Sequence, residues 1–136
     1  MRNEECIIIG GGPCGLAAAI ALKEIGKDPL VIEKENIVHS LYRFPTHQTF
    51  FSTSDKLEIG DVPFVTENPK PTRNQALAYY REVVARNKLR IASYEKVEKV
   101  SKQPDGSFIV ESSKDTYKAK YVVIATGYYD NPNYMN

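Results

Sequence analysis

The sequence predicts an α/β protein, a parallel sheet covered by helices and carrying an antiparallel insertion. Three observations predict it. First, the apolar run Cys6-Ile7-Ile8-Ile9 leads into Gly10-Gly11-Gly12-Pro13-Cys14-Gly15 and then into Leu16-Ala17-Ala18-Ala19-Ile20-Ala21-Leu22, which reads as strand, glycine turn and helix. Second, another apolar run, Leu30-Val31-Ile32, closes a βαβ unit, and such crossovers are right-handed. Third, Tyr121-Val122-Val123-Ile124-Ala125 is nearly unbroken in apolarity, as expected of a central parallel strand covered on both faces.

The elements follow in order. Residues 5–9 form the first strand, and residues 15–25 the helix, which Gly26 stops. Pro29 precedes the second strand, at 30–33. Residues 36–72 break the pattern with Pro45, Pro63, Pro69, Pro71 and Gly60, and with interleaved Tyr42, Phe44, Phe50, Phe51 and Phe64. This stretch is expected to be an excursion with little regular structure, holding one short helix or hairpin. A loop of that length is usually functional, and aromatic faces with hydroxyls suit a flat heterocycle. The plainer alternative makes Phe50, Phe51 and Phe64 core plugs. Residues 73–87 have helical spacing behind Thr72 as N-cap. Residues 90–92 give a short strand. Strands near 95–103, 107–112 and 116–119 form a three-stranded antiparallel meander, with Pro104-Asp105-Gly106 as its first turn. The central strand, 121–125, then ends in Thr126-Gly127.

A chain of 136 residues suffices for one domain with a real core. Its 18 Lys and Arg nearly balance 17 Asp and Glu, for a net charge of +1. That balance suggests no nucleic-acid partner. No stretch approaches the roughly 20 apolar residues of a membrane span, and the first residues do not read as a secretory signal. Two cysteines make no disulfide framework, so reduced thiols and a cytoplasmic location are expected. His39 and His47 lack partners at metal-ligand spacing, so no metal is expected.

The glycine turn carries the first chemical prediction. Gly10, Gly12 and Gly15 stand in the G-x-G-x-x-G register, and the next strand ends in Glu33. Glycines there allow a tight turn, close backbone approach to a pyrophosphate, and packing of helix on strand. The phosphates lie on the positive end of the helix. Glu33 can accept from a ribose diol, and its charge would oppose a 2′-phosphate. FAD and NAD both meet that condition. A glycine-rich βα turn without ligand is the alternative.

The glycine turn with Glu33, followed some ninety residues later by Val122-Val123-Ile124-Ala125-Thr126-Gly127, resembles the FAD domain of two-dinucleotide-domain flavoproteins. The second element is similar to that family's A-T-G motif. Gly12-Pro13-Cys14-Gly15, the stretch Pro45 to Ser52, and Ala125-Thr126-Gly127-Tyr128-Tyr129-Asp130-Asn131-Pro132 resemble the bacillithiol disulfide reductases, thioredoxin-reductase-like FAD enzymes that use NADPH. The resemblance implies a Rossmann-like FAD-binding domain. It places Gly10, Gly12, Pro13, Cys14 and Gly15 at the pyrophosphate, Glu33 at the adenosine ribose and Lys34 beside the adenine. It brings Gln48, with Thr46 or His47, towards the flavin. Val97 meets the adenine through its backbone, and Ala125, Thr126 and Gly127 contact the nucleotide from the other side.

The same resemblance implies a small-molecule disulfide substrate and a homo-oligomer. It also implies that residues 1–136 are the N-terminal part of the FAD domain, with an NADPH domain and a return segment beyond. This piece alone is then expected to be inactive and to bind FAD weakly. Cys14 is the candidate catalytic residue. The class carries a Cys-x-x-Cys pair in its NADPH domain, absent here. A thiol at a helix N-terminus is placed for thiolate chemistry. The alternative is a small residue tolerated in the turn. Cys6 is expected in the core. Gly60-Asp61-Val62-Pro63-Phe64 and the helix around Tyr79-Tyr80 also resemble flavin-containing monooxygenases. A non-catalytic nucleotide-binding module is the third possibility.

Overall fold

The structure, a computed structural model, describes residues 1–127. Tyr128, Tyr129 and the rest of the motif running to Pro132 lie outside the described residues. The elements are β1 (Arg2–Ile9), α1 (Pro13–Glu24), β2 (Leu30–Ile32), α2 (His39–Tyr42), α3 (Ser54–Leu57), α4 (Arg73–Asn87), β3 (Arg90–Ala92), β4 (Val97–Lys102), β5 (Phe108–Ser112) and β6 (Thr116–Ile124). They form one six-stranded sheet in the order β3-β2-β1-β6-β5-β4. The pairs β3·β2, β2·β1 and β1·β6 are parallel. The pairs β6·β5 and β5·β4 are antiparallel.

The sheet differs from the sequence expectation at one point. The last meander strand and the central strand are a single element, β6. Its first half pairs antiparallel with β5, from Phe108↔Ala119 to Glu111↔Thr116. Its second half pairs parallel with β1, from Cys6↔Tyr121 to Ile9↔Ile124. The reason lies in β1, which starts at Arg2 rather than residue 5 and pairs with Tyr117–Ala119 as well. No turn-forming residue separates Ala119 from Tyr121, so the strand runs on.

The core has layers on both sheet faces. On one face Ile8 and Val31 pack under Ala19 of α1. On the other, Ile7, Leu30 and Ile32 meet Val110, Tyr117 and Ala119 from the meander. Burial on both faces explains why these strands read as continuous apolar runs. Cys6 is buried there as expected, and burial pushes its thiol up from the ordinary value. Among the described residues no helix is long and apolar enough to cross a membrane.

The excursion holds two single-turn helices, α2 and α3, where one short helix or a hairpin was expected. It is tied along its length to α4. The Gln48 carbonyl accepts from Arg73 N at 2.9 Å, and within the excursion the Pro71 carbonyl accepts from Phe50 N at 3.0 Å. The Tyr79 hydroxyl accepts from Ile59 N at 2.8 Å and donates to the Val62 carbonyl at 2.6 Å. Tyr80 donates to the Leu57 carbonyl at 2.8 Å. Thr72 caps α4, and with Gln75 makes a complete capping box. The three phenylalanines divide. Phe64 is buried and stacks on Tyr79, with 4.3 Å between centroids. Phe50 packs against the core, while Phe51 is 93% exposed.

Candidate functional site

The two sequence motifs meet at Gly10. Its φ is +111°, and a Cβ there would overlap the carbonyl oxygen of Ala125. Its N–H donates to the Ile32 carbonyl at 2.9 Å, and Ala125 N donates to the Ile9 carbonyl at 2.8 Å. The ends of β1, β2 and β6 are therefore drawn together, where a parallel sheet binds ligands. A Cβ on Gly15 would overlap the carbonyl oxygen of Gly10, so the glycine seats α1 on the strand end.

Gly12 differs from both. It is the N-cap of α1 in extended conformation, and none of the described residues lies within 4 Å of where its Cβ would be. No side chain caps this helix, and no acid stands in its first turn. The first N–H groups of a helix need partners outside it. A cradle open at Gly12, beside an uncapped positive helix end, fits a diphosphate.

Glu33 is buried, at 8% exposure. Its Oε1 accepts from Gly11 N at 2.9 Å and its Oε2 from Glu35 N at 2.7 Å. The carboxylate thus fastens the glycine turn to the end of β2. Each oxygen keeps a further lone pair for a diol. Glu33 lines a cleft of about 300 Å³ together with Ile9, Gly10, Ile32, Lys34, Glu35, Lys96, Val97 and Thr126.

Of the residues singled out from the sequence, the structure gathers Gly10, Glu33, Lys34, Val97 and Thr126 around this cleft. Ala125 stands behind Gly10, and Gly127 is exposed just beyond. Pro13 and Cys14 face a second, apolar groove with Ala17, Leu41, Phe50, Leu57 and Tyr80. Cys14 is exposed there. Thr46 and His47 are exposed and Gln48 half-buried, and none of them lines either cavity. His39 pairs with Glu35 at 2.8 Å. Among the described residues no cluster could hold a metal ion. Glu35 and Lys96 escaped the sequence reading. They sit one position from recognised residues and carry no pattern of their own.

Strand, glycine turn, helix, strand and terminal acid, set at the carboxyl end of parallel strands, define a Rossmann-like α/β domain of the dinucleotide-binding kind. The chain belongs to the pyridine nucleotide-disulphide oxidoreductase family, whose model matches residues 7–136. It is 64% identical over 135 residues to bacilliredoxin reductase Bdr of Bacillus subtilis (strain 168), covering 99% of this chain and 42% of that relative. Two solved structures of bacillithiol disulfide reductase Bdr (YpdA) superpose closely. The Staphylococcus aureus protein gives a TM-score of 0.95 at 55% identity, over 98% of this chain and 41% of its own. The Bacillus cereus protein gives 0.95 at 64%, over 99% and 43%. The chain thus spans about two fifths of the length of these relatives.

Proposed function

We propose that this chain is the FAD-binding part of a flavoprotein that uses NADPH to reduce a low-molecular-weight disulfide, bacillithiol disulfide being the candidate. One structural observation carries the cofactor reading: the contact between Gly10 and Ala125, which joins the diphosphate turn to the A-T-G segment at one cleft. The 64% identity to a Bdr reductase supports the reaction class. On this reading an NADPH domain lies outside these residues. A cytoplasmic homo-oligomer belongs to the same reading.

FAD held at this cleft would supply two-electron redox chemistry between a nicotinamide and a disulfide. The residues here bind and orient. The α1 end and Gly12 receive the diphosphate, and Glu33 holds the adenosine ribose. Lys34 and the Val97 backbone flank the adenine. Ala125, Thr126 and Gly127 close the nucleotide side, and Thr46, His47 and Gln48 approach the flavin. Cys14 acts on the substrate: its thiolate attacks one sulfur, the substrate S–S bond breaks, a mixed disulfide forms, and the other half leaves as a thiolate that takes a proton from water. Two electrons and a proton then release the second thiol and restore Cys14. In the full-length enzyme with FAD retained, Cys14→Ala should abolish disulfide-dependent NADPH oxidation. A wild-type rate would remove Cys14 from the mechanism. The monooxygenase alternative is not favoured, since the high identity lies with reductases.

A further inference from the structure

We infer that Glu95 is a positioning residue that sets the adenosine end of the cleft. The inference rests on the FAD reading above. Glu95 is 6% exposed and, among the described residues, is one of two buried acids, the other being Glu33. Its Oε2 accepts from the Tyr117 hydroxyl at 2.6 Å and from the Ser112 hydroxyl at 2.6 Å. Tyr117 belongs to β6 and is fully buried, and Ser112 ends β5. The backbone of Glu95 faces the other way, its N–H donating to the Glu33 carbonyl at 2.9 Å. Tyr94, in the left-handed region at φ +57°, donates to the Glu35 carbonyl at 3.0 Å.

The two residues after Glu95 are Lys96 and Val97, which form the cleft wall facing Glu33, Lys34 and Glu35. Lys96 and Val97 are held to the end of β5 by their own backbone, Lys96 with Ser113 and Val97 opposite Ser112, and Glu95 adds a tie to both walls. Its peptide fixes it to the ribose-binding segment, and its carboxylate fixes it to the meander. A buried carboxyl group is costly without such donors. Losing the carboxylate removes this side-chain tie and loosens the approach to the Lys96–Val97 wall, while the Lys96–Ser113 bonds, the Val97↔Ser112 pairing and the diphosphate turn remain.

The test uses the full-length protein well below the melting temperature of each variant, with FAD affinity measured directly and ADP affinity by displacement. ADP carries the adenosine end and no flavin. Glu95→Ala should weaken FAD and ADP by the same factor, about tenfold, which is about 1.4 kcal/mol. Glu95→Gln, which keeps an acceptor oxygen, should recover most of the loss. A residue with a merely structural role would lower the melting temperature and leave both affinities alone, and that result overturns the inference while the FAD reading stands. FAD weakened without ADP overturns it too. Wild-type protein that binds no FAD overturns both. Should Glu95→Ala not fold, Ser112→Ala decides: weakening of FAD and ADP together supports the inference, and unchanged affinities contradict it.

Discussion

The glycine turn and the excursion of residues 36–72 border the same helix, α1, and are held by opposite means. In the turn, backbone meets backbone. Gly10 lies against Ala125, Gly15 against Gly10, and the N–H groups of Gly11 and Glu35 converge on one carboxylate. In the excursion, side-chain hydroxyls reach across in addition to backbone bonds: Tyr79 to Ile59 and Val62, Tyr80 to Leu57. At Gly10 and Gly15 the first arrangement has no room for a Cβ. The second loses single hydrogen bonds without losing shape. A cofactor site built the first way is rigid before its ligand arrives, which lowers the ordering cost of binding.

The comparison breaks most sharply at Gly10. Gly10→Ala must clear the Ala125 backbone and adopt a positive φ. A loss of about 3 kcal/mol or more is expected in denaturant unfolding, together with loss of FAD. Glu33→Ala comes next. It strands two N–H groups, so about 2 kcal/mol should be lost, and FAD should weaken at least tenfold. Equal FAD affinity in Glu33→Ala would separate the acid from the ribose.

The excursion should respond more mildly. Tyr80→Phe removes the donor to the Leu57 carbonyl, at about 1 kcal/mol, with FAD affinity unchanged. Its pH dependence sharpens the contrast. Burial pushes the Tyr80 phenol up to about 12 from its ordinary 10.0. Tyr117 is likewise pushed up to about 12, first by burial and then by its bond to Glu95. The folded state then holds more protons than the unfolded one between those values. Stability is fully present below about pH 10 and falls as pH rises towards 12. Tyr80→Phe should make that alkaline decline shallower, as read by unfolding free energy at pH 9 to 11.5. An unchanged slope would show that Tyr80 does not contribute to it.

The same contrast explains what the sequence disclosed. The turn leaves a trace because close approach excludes Cβ atoms at fixed steps, so Gly10 and Gly15 are visible as glycines. The α4 helix is legible through its Thr72 cap and apolar spacing, and its bounds agree. The excursion is not, because Tyr79 finds Ile59 only after α4 has docked. Nor does spacing tell that Phe64 is inside and Phe51 outside. The fusion of two expected strands into β6 depends on the length of β1, which the charged residues Arg2, Glu4 and Glu5 disguise. Glu95 left no signal at all, since its donors arrive from β5 and β6, 17 and 22 positions later.

Gly12 offers the most direct test of the central claim, that open backbone at the α1 N-terminus receives a diphosphate. None of the described residues occupies the space its Cβ would take, so Gly12→Ala should fold with stability within about 0.5 kcal/mol of wild type. A fluorescence titration with FAD, wild type and Gly12→Ala side by side in the full-length protein, decides the matter. The account predicts saturable binding to wild type and at least tenfold weaker binding to the variant. Equal affinities, or no saturable signal from wild type, would contradict it.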